Sequence, residues 1–143
     1  ENIDNMEARL WGPDQSDRVV YLANKTTLPK LSSLVQVVGV GGAPVPYLTR
    51  DAGGWRLNGR RLFFTEVCSA IGDLGDIVLI NFAEYIEGLY QPLQQAESVH
   101  VRFLNNERTF KFWVRNCGMP WWSSVLTPEN GATLSPLVTL AAR

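Results

Sequence analysis

Apolar residues recur at helical spacing at the amino end of the chain. Ile3, Met6 and Leu10 fall three to four residues apart, which places them on one face of a helix. Gly12, which a proline follows, ends such a helix. The pattern therefore predicts a helix within Glu1–Trp11.

The next segments alternate between strand and helix patterns. Arg18–Ala23 is rich in β-branched and aromatic residues, which is typical of a buried strand. Two threonines, Thr26 and Thr27, are N-cap candidates ahead of three leucines at three-residue spacing, so we predict a short helix over Thr27–Leu34. Val35–Val40 is β-branched and runs into glycines and prolines, which indicates a short strand followed by a loop.

The middle of the chain has the pattern of successive strands. Pro46–Gly59 carries apolar residues on either side of a glycine-rich turn and predicts a β-hairpin. Arg61–Val67 and Asp76–Ile80 are apolar segments and predict two strands separated by a loop. Asn81–Glu84 predicts one helical turn ahead of Tyr85–Tyr90.

Apolar and polar residues alternate in the last third of the chain. Val99–Phe103 and Thr109–Arg115 follow this pattern, which predicts two half-buried strands around a polar turn. Gly118 and Pro120 predict a bend, and Leu134–Leu140 predicts a last strand. Mixed strands with two or three helices place the chain in the α+β class.

The central strands are predicted to form one mixed sheet. It contains residues 18–23, 61–67 and 76–80, and the helix at residues 27–34 packs on it. Burial of apolar side chains stabilises such a core by roughly 1.5 to 3 kcal/mol each. The side chains expected to be buried are Val20, Leu22, Leu28, Leu31, Phe63, Ile77 and Leu79.

Composition and charge narrow the classes of partner. The 143 residues suffice for one domain, and charged residues make up 19%, which is below the roughly 25% of an average soluble domain and favours a surface that meets other proteins. The formal net charge of -1 disfavours binding to nucleic acid or an anionic membrane. No apolar run reaches the ~18 residues of a membrane span, so we expect a soluble, intracellular protein. Because the chain begins at Glu1 rather than Met, we also expect an upstream region.

Candidates for catalysis are few. The run VGVGGAP, residues 38–44, has the glycines of a phosphate loop, but prolines follow where such a loop needs a helix, so an ordinary loop is the better interpretation. His100 is the only histidine, so a catalytic imidazole would have to be this one, paired with Cys68, Cys117 or a serine. Its position in an alternating segment favours a structural histidine within a strand.

Carboxylates and metal ligands give equally weak signals. Glu84 and Glu87 are close enough in sequence for acid–base work on a helical turn, but a solvated strand edge is the better interpretation. One histidine, two separated cysteines and scattered carboxylates have no recognised metal-ligand spacing. We therefore expect no catalytic, cofactor-binding or metal-binding residues. The two cysteines are predicted to be buried free thiols rather than a disulfide.

Tryptophan is the one residue type that favours a binding function. Indole rings stack on sugars, so a carbohydrate-binding module is an alternative, but aromatic residues are also concentrated in cores and protein interfaces. Core or interface positions are the better interpretation. The five tryptophans are Trp11, Trp55, Trp113, Trp121 and Trp122.

Three segments, read in order, resemble the carboxyl-terminal half of the Hong Kong 97-type major capsid proteins of tailed bacteriophages. The strongest is LNGRRLFFTEVCSAIGDLGDIVLINFAEYIEG, residues 57–88, and VVYLANKTTLPKLSSL and FLNNERTFKFWVRNCGMPWW flank it. The sequence departs from the family pattern at Arg61, where proline is usual, and at Asn81 and Cys117, where aspartate is usual. Residues 35–55 match poorly. The matching residues are Leu57, Gly59, Thr65, Glu66, Gly72, Gly75, Asp76, Ile77, Leu79, Phe82, Tyr85, Phe103, Asn106, Phe110, Arg115, Gly118 and Pro120.

The resemblance implies a Hong Kong 97-like fold. Residues 1–11 would end the spine helix, residues 12–96 would form the axial domain of mixed sheet and helices, and residues 97–143 would form returning strands of the peripheral domain and a carboxyl-terminal tail. The amino-terminal arm, the extended loop and most of the spine helix would lie upstream. Crosslinking between subunits, which one branch of the family performs, does not carry over to the three lysines of this chain.

The resemblance implies that the chain is a structural subunit of a phage or prophage capsid and not an enzyme. Such a capsid would be assembled in the bacterial cytoplasm, around the packaged DNA. Its partners would be further copies of itself in pentamers and hexamers, with scaffold, portal and decoration proteins. We expect no sequence-specific nucleic-acid binding, no membrane binding and no cofactor. An encapsulin-like nanocompartment shell is an alternative that fold alone does not distinguish.

Overall fold

The computed structural model describes residues 2–12, 17–36 and 42–141. With 16% helix and 46% strand, the chain has the predicted α+β class and is mostly sheet. In chain order the elements are α1 (Asn2–Ala8), β1 (Val19–Ala23), α2 (Leu28–Ser32), β2 (Val35–Gln36), β3 (Val45–Pro46), β4 (Leu48–Asp51), β5 (Gly54–Leu57), β6 (Arg60–Phe64), β7 (Ile77–Asn81), β8 (Tyr85–Ser98), β9 (Thr109–Pro120) and β10 (Leu137–Thr139).

The chain divides into two compact units. One comprises residues 1–84 with 122–143, and the other comprises residues 85–121. Six strands form the sheet of the first unit, in the order β10-β7-β1-β6-β5-β4, and β8 and β9 form a two-stranded ribbon in the second. The assignment of the chain to axial and peripheral domains stays a prediction.

The predicted mixed sheet is confirmed. Tyr21 at the centre of β1 pairs in parallel with Leu62 of β6 and antiparallel with Leu79 of β7. A parallel neighbour on one side and an antiparallel neighbour on the other make the sheet mixed. The predicted hairpin is also present, because β4 and β5 pair antiparallel around a turn.

The core lies where the two short helices pack on this sheet. α1 contributes Ile3 and Met6, and α2 contributes Leu31. These side chains share one hydrophobic cluster with sheet residues because alternate positions of each strand face the same side. The sheet and carboxyl-terminal members of the cluster are Val19, Tyr21, Ala23, Leu48, Leu57, Leu62, Ile77, Leu79 and Leu140.

Most of the predicted core residues are buried, and one is not. Val20, Leu31, Ile77 and Leu79 are buried, and the remaining two leucines of the predicted set are half-buried. Phe63 is 49% exposed, so its predicted burial is wrong. The reason is the two-residue period of β6, in which the neighbours of Phe63 on either side turn toward the core.

Two predicted boundaries near the amino end differ from the structure. α1 ends at Ala8 instead of reaching Trp11, because the next residues pair with the carboxyl-terminal segment: the Trp11 amide donates to the Ser135 carbonyl at 2.9 Å. The strand predicted over Val35–Val40 begins at Val35, and its residues beyond position 36 lie outside the described residues.

The carboxyl-terminal strands differ more from the prediction. Val99–Phe103 is not a strand; β9 pairs instead with the 14-residue strand β8, and a loop with a 3₁₀ turn joins the two. Asn106 closes this turn in the left-handed conformation, with φ of 54°, which asparagine tolerates. Gly118 lies inside β9, so the predicted bend begins only after Pro120. The last predicted strand is present as β10.

Candidate functional site

The residues considered for catalysis do not converge. His100 lies in the loop after β8, exposed, so its predicted place within a strand is wrong; its backbone amide donates to Ser98 Oγ at 3.3 Å. Cys117 lies eight residues along β9 from Thr109, the residue that pairs with Ser98. At ~3.3 Å per residue this separates the histidine loop from Cys117 by about 26 Å. His100 therefore cannot activate this thiol.

Both cysteines are free thiols, as predicted. Cys68 is half-buried, and burial raises the pKa of its thiol, which favours the less nucleophilic protonated form at neutral pH. Cys117 is exposed on the ribbon, so the prediction that both thiols are buried is wrong for this residue. Its side chain lies against the carbonyl of Gly88 on the opposite strand, at 3.7 Å.

The two glutamates considered as an acid–base pair each have a partner of their own. Glu84 accepts a hydrogen bond from the indole N–H of Trp122 at 3.1 Å. Glu87 lies in β8, as the strand interpretation requires, and accepts one from Asn116 across the ribbon at 3.0 Å. Within the described parts of the chain, no group of three metal-ligating side chains lies close enough to hold an ion.

The glycine-rich run falls mostly outside the described residues, which resume at position 42. Residues 42–44 are exposed and lead into the two-residue strand β3. In the described part of the chain no helix is long and apolar enough to cross a membrane.

Asp76 is a fully buried acid of the first unit and organises the loop between β6 and β7. Its carboxylate accepts the amide of Gly72 at 3.0 Å, and its backbone carbonyl accepts the amide of Asn24 at 3.2 Å. The Asn24 side chain in turn donates to the carbonyl of Cys68 at 2.7 Å. These bonds tie the loop to the end of β1, so Asp76 has a structural role.

A second buried polar group joins α1 to the sheet. The Tyr21 hydroxyl donates to the Glu7 carboxylate at 2.9 Å, and Arg60 approaches the same oxygen at 3.3 Å. Burial, together with the negative charge of Glu7, raises the pKa of Tyr21 well above its usual value, so the hydroxyl remains a donor. Sequence reasoning missed this cluster.

The tryptophans are distributed over different surroundings. Trp55 is half-buried against the core, edge-on to Phe64 and with Arg50 5.2 Å above its ring. On the ribbon, the Lys111 ammonium group lies 5.2 Å above the ring of Trp113. Each of these rings already has a cation over its face, which is the surface that a sugar would need.

The ribbon of β8 and β9 exposes a series of large apolar side chains along both strands. Cross-strand partners project to the same side, and successive residues alternate, so the ribbon has two faces. We name them face A and face B. Face A carries Tyr85, Glu87, Leu89, Glu97, Phe110, Phe112, Val114 and Asn116. Face B carries Ile86, Ala96, Lys111, Trp113, Arg115, Cys117 and Met119.

Neither face is covered within the described structure of this unit. Phe112 on face A is 58% exposed and Met119 on face B is 64% exposed. The prediction that one face of these strands is buried is therefore wrong for the chain as it stands, because a two-stranded ribbon has no second layer to pack against. Contiguous exposed apolar surface of this kind marks an interaction site.

The two faces differ in charge. Face A carries Glu87 and Glu97, the latter bonded to Arg108 of the loop at 2.9 Å. Face B carries Lys111 and Arg115, and within the ribbon it has no acidic side chain. This arrangement is suited to binding another surface rather than to chemistry on a small molecule.

Comparison of the chain with protein-family models, with curated proteins and with solved structures finds no match.

Proposed function

We propose that this chain is the carboxyl-terminal half of a shell subunit of the Hong Kong 97-like kind, which self-assembles into a phage or prophage capsid around packaged DNA. The observation that carries the proposal is the uncovered apolar surface on both faces of the β8–β9 ribbon. A subunit that tiles into a shell must bury several lateral surfaces against its neighbours. In this proposal residues 12–96 belong to the axial domain, and residues 97–143 form strands of the peripheral domain and the carboxyl-terminal tail.

The segment that carries the resemblance has a clear structural logic, which supports the proposal. Gly72 and Gly75 have φ of 99° and 86°, a backbone conformation that favours glycine. The buried carboxylate of Asp76 accepts the Gly72 amide and fixes the start of β7. The small-residue loop and the Gly-Asp-Ile motif therefore act together in closing one turn of the sheet.

A departure from the family pattern also has a local reason. Asn81, where aspartate is usual, is 1% exposed and donates its side-chain N–H to the Trp11 carbonyl at 3.1 Å. The side-chain oxygen of Asn81 accepts a hydrogen bond from the Ala83 backbone amide at 3.0 Å. A carboxylate has no N–H to donate, so the amide suits the path of this particular chain. The departure leaves the strand unchanged and does not argue against the proposal.

The proposed function requires interfaces and no catalysis. Apolar residues beyond those of the core and a formal charge of -1 are in keeping with a surface that meets other proteins. The separation of His100 from Cys117 along the ribbon supports the same interpretation.

The experiment that tests the proposal is assembly of a longer protein that carries the upstream region. We expect it to form closed particles visible by electron microscopy, whereas the 143-residue chain remains a monomer or a small oligomer in sedimentation velocity. Phe112→Asp in the longer protein should abolish particles, because it places a charge on an apolar contact surface. His100→Ala, an exposed change in the same ribbon unit, should leave them intact.

Two results would overturn the proposal. One is a longer protein that stays monomeric under every assembly condition tried. The other is a specific enzymatic activity that His100→Ala abolishes, since a shell subunit needs no such residue.

A further inference from the structure

A groove lies between α1 and β10, which is an edge strand of the six-stranded sheet. We propose that this groove binds an extended, acidic peptide of a partner protein, which adds to the sheet as a further strand beside β10. The groove belongs to the first unit alone, so the inference goes beyond the proposed shell function and does not rest on it.

The hydrogen bonds of β10 leave one of its edges open. The Leu140 amide donates to the Ile77 carbonyl at 3.0 Å, so Leu140 and every second residue before it face β7. Leu137 and Thr139 alternate with these residues and direct their backbone N–H and C=O groups away from β7. No other described strand lies on that side of β10. An edge of this kind is a template for pairing with another chain.

The same edge already pairs with a segment of this chain at Ser135. The Ser135 amide donates to the Arg9 carbonyl at 3.0 Å, and the Ser135 carbonyl accepts the Trp11 amide at 2.9 Å. Among the described residues this parallel pairing is a single bridge. The Leu137 amide is engaged locally by Ser135 Oγ at 3.3 Å, which leaves the Leu137 carbonyl and both backbone groups of Thr139 for an added strand.

The groove beside this edge has the size and the lining of a peptide site. Its volume is about 580 Å³, and ligand pockets commonly measure roughly 300 to 1,000 Å³. Asn2 and Asn5 of α1 and Arg9 just after it lie three and four residues apart, which places them along one side of the helix. An extended peptide turns alternate side chains toward this wall and toward the apolar residues of the groove. The apolar residues include Leu134 and Val138.

Charge selects an acidic peptide. Arg9 is exposed and is the one charged side chain among the described residues that line the groove. A carboxylate forms a charge-assisted hydrogen bond with a guanidinium, and such bonds are stronger than neutral ones. Because the Arg9 carbonyl bonds to Ser135, we place the acid at the end of the peptide that lies beside Ser135.

The same charge argument favours a partner peptide over a second copy of this chain. Pairing of β10 with a second β10 across a two-fold axis would bring together two grooves whose described lining contains no acid. It would also align only three residues of each copy. Such a contact is far smaller than the roughly 1,000 Å² of a stable interface.

Selection from a displayed library of random octapeptides tests the groove on the 143-residue chain. We expect enriched peptides to share alternating apolar residues and an Asp or Glu near one end, and a synthetic copy should bind saturably in fluorescence anisotropy. Arg9→Glu should weaken this binding by roughly tenfold or more, and a lysine in place of the peptide's acid should restore binding to that variant. Arg61→Glu makes the same change at an exposed arginine of β6 outside the groove, and this matched control should bind as the unchanged chain does.

Backbone pairing has a signature that simple adhesion lacks. In an added strand every second amide of the peptide points toward β10. N-methylation of this set should lower the affinity by roughly tenfold or more, whereas N-methylation of the other set should change it little. On the protein, saturation with the peptide should slow hydrogen exchange of the Thr139 amide and leave that of Val138, which faces β7, nearly unchanged.

Four results would overturn the inference. The first is a selection that enriches no peptide, and the second is an enriched peptide that binds Arg9→Glu as tightly as the unchanged chain. The third is an equal effect of the two N-methylated sets. The fourth is a dimer of the chain alone that already protects the Thr139 amide, since a second copy would then occupy the edge. None of these results bears on whether a longer protein forms particles, so failure of this inference is distinguishable from failure of the proposed function.

Discussion

Removal of one hydroxyl group from the core tests how α1 is held on the sheet. Tyr21 is fully buried and donates to Glu7 of α1 at 2.9 Å. Tyr21→Phe keeps the ring and the apolar packing and deletes only this bond. Tyr47→Phe is the matched control, because the Tyr47 hydroxyl also donates to a carboxylate of α1, Asp4, at 2.9 Å, but in solvent-exposed surroundings.

The burial of Tyr21 sets the expected magnitude. A hydrogen bond to a charged group contributes about 1.5 to 3 kcal/mol when its loss leaves the acceptor without that partner. Arg60 remains 3.3 Å from the same Glu7 oxygen and compensates in part, so we expect Tyr21→Phe to lower the free energy of unfolding by about 1.5 to 2 kcal/mol. At the Tyr47 position water replaces the lost donor, and we expect no measurable change.

Urea unfolding followed by circular dichroism measures both effects. With an m value of about 1 to 3 kcal/mol/M, Tyr21→Phe should lower the midpoint by on the order of 1 M and leave the slope unchanged. The two tyrosine variants should therefore separate clearly. Equal midpoints for both would refute the reasoning, because they would show that burial of the hydroxyl does not set its contribution.

Three further predictions follow from burial and charge. Leu79→Ala, at a fully buried position, should cost about 2 to 5 kcal/mol of unfolding free energy, whereas Leu93→Ala, at a site that is 70% exposed, should change it by less than ~0.5 kcal/mol. Hydrogen bonds from the Arg56 side chain and from the Gly53 backbone amide hold the pKa of Asp51 below its usual 3.8. The stability that the ionised Asp51 contributes is therefore complete above pH 3.8 and is lost as the pH falls through the lowered pKa. A carboxyl titration by NMR with a midpoint at or above 3.8 would contradict this. A thiol reagent at pH 8 should label Cys117 before Cys68, and equal labelling rates would contradict the exposure difference between them.

Several strands were predictable because their residues repeat a local rule. β1 and β7 are apolar runs bounded by turn residues, and that pattern depends on the segment alone. Phe63 shows where the rule stops, since an apolar run such as that of β6 does not tell which alternate positions turn to the core. The sheet decides this through the partners that each strand acquires.

The polar clusters were beyond sequence reasoning. Tyr21, Glu7 and Arg60 lie up to 53 positions apart, and nothing local to any of them indicates the other two. Asp76 was singled out by the resemblance, whereas its burial and its bond to Gly72 depend on the fold of the loop.

The amino-acid sequence by itself determined the α+β class, the central strands, the short helix after β1 and the hairpin of β4 and β5, because the period of apolar residues and the chemistry of turn residues act over a few positions. The tertiary structure alone decided that β9 pairs with the long strand β8 and not with residues 99–103, and that both faces of this ribbon carry exposed apolar side chains. Alternation along a strand shows that it has two different faces, but what covers each face depends on segments distant in the sequence.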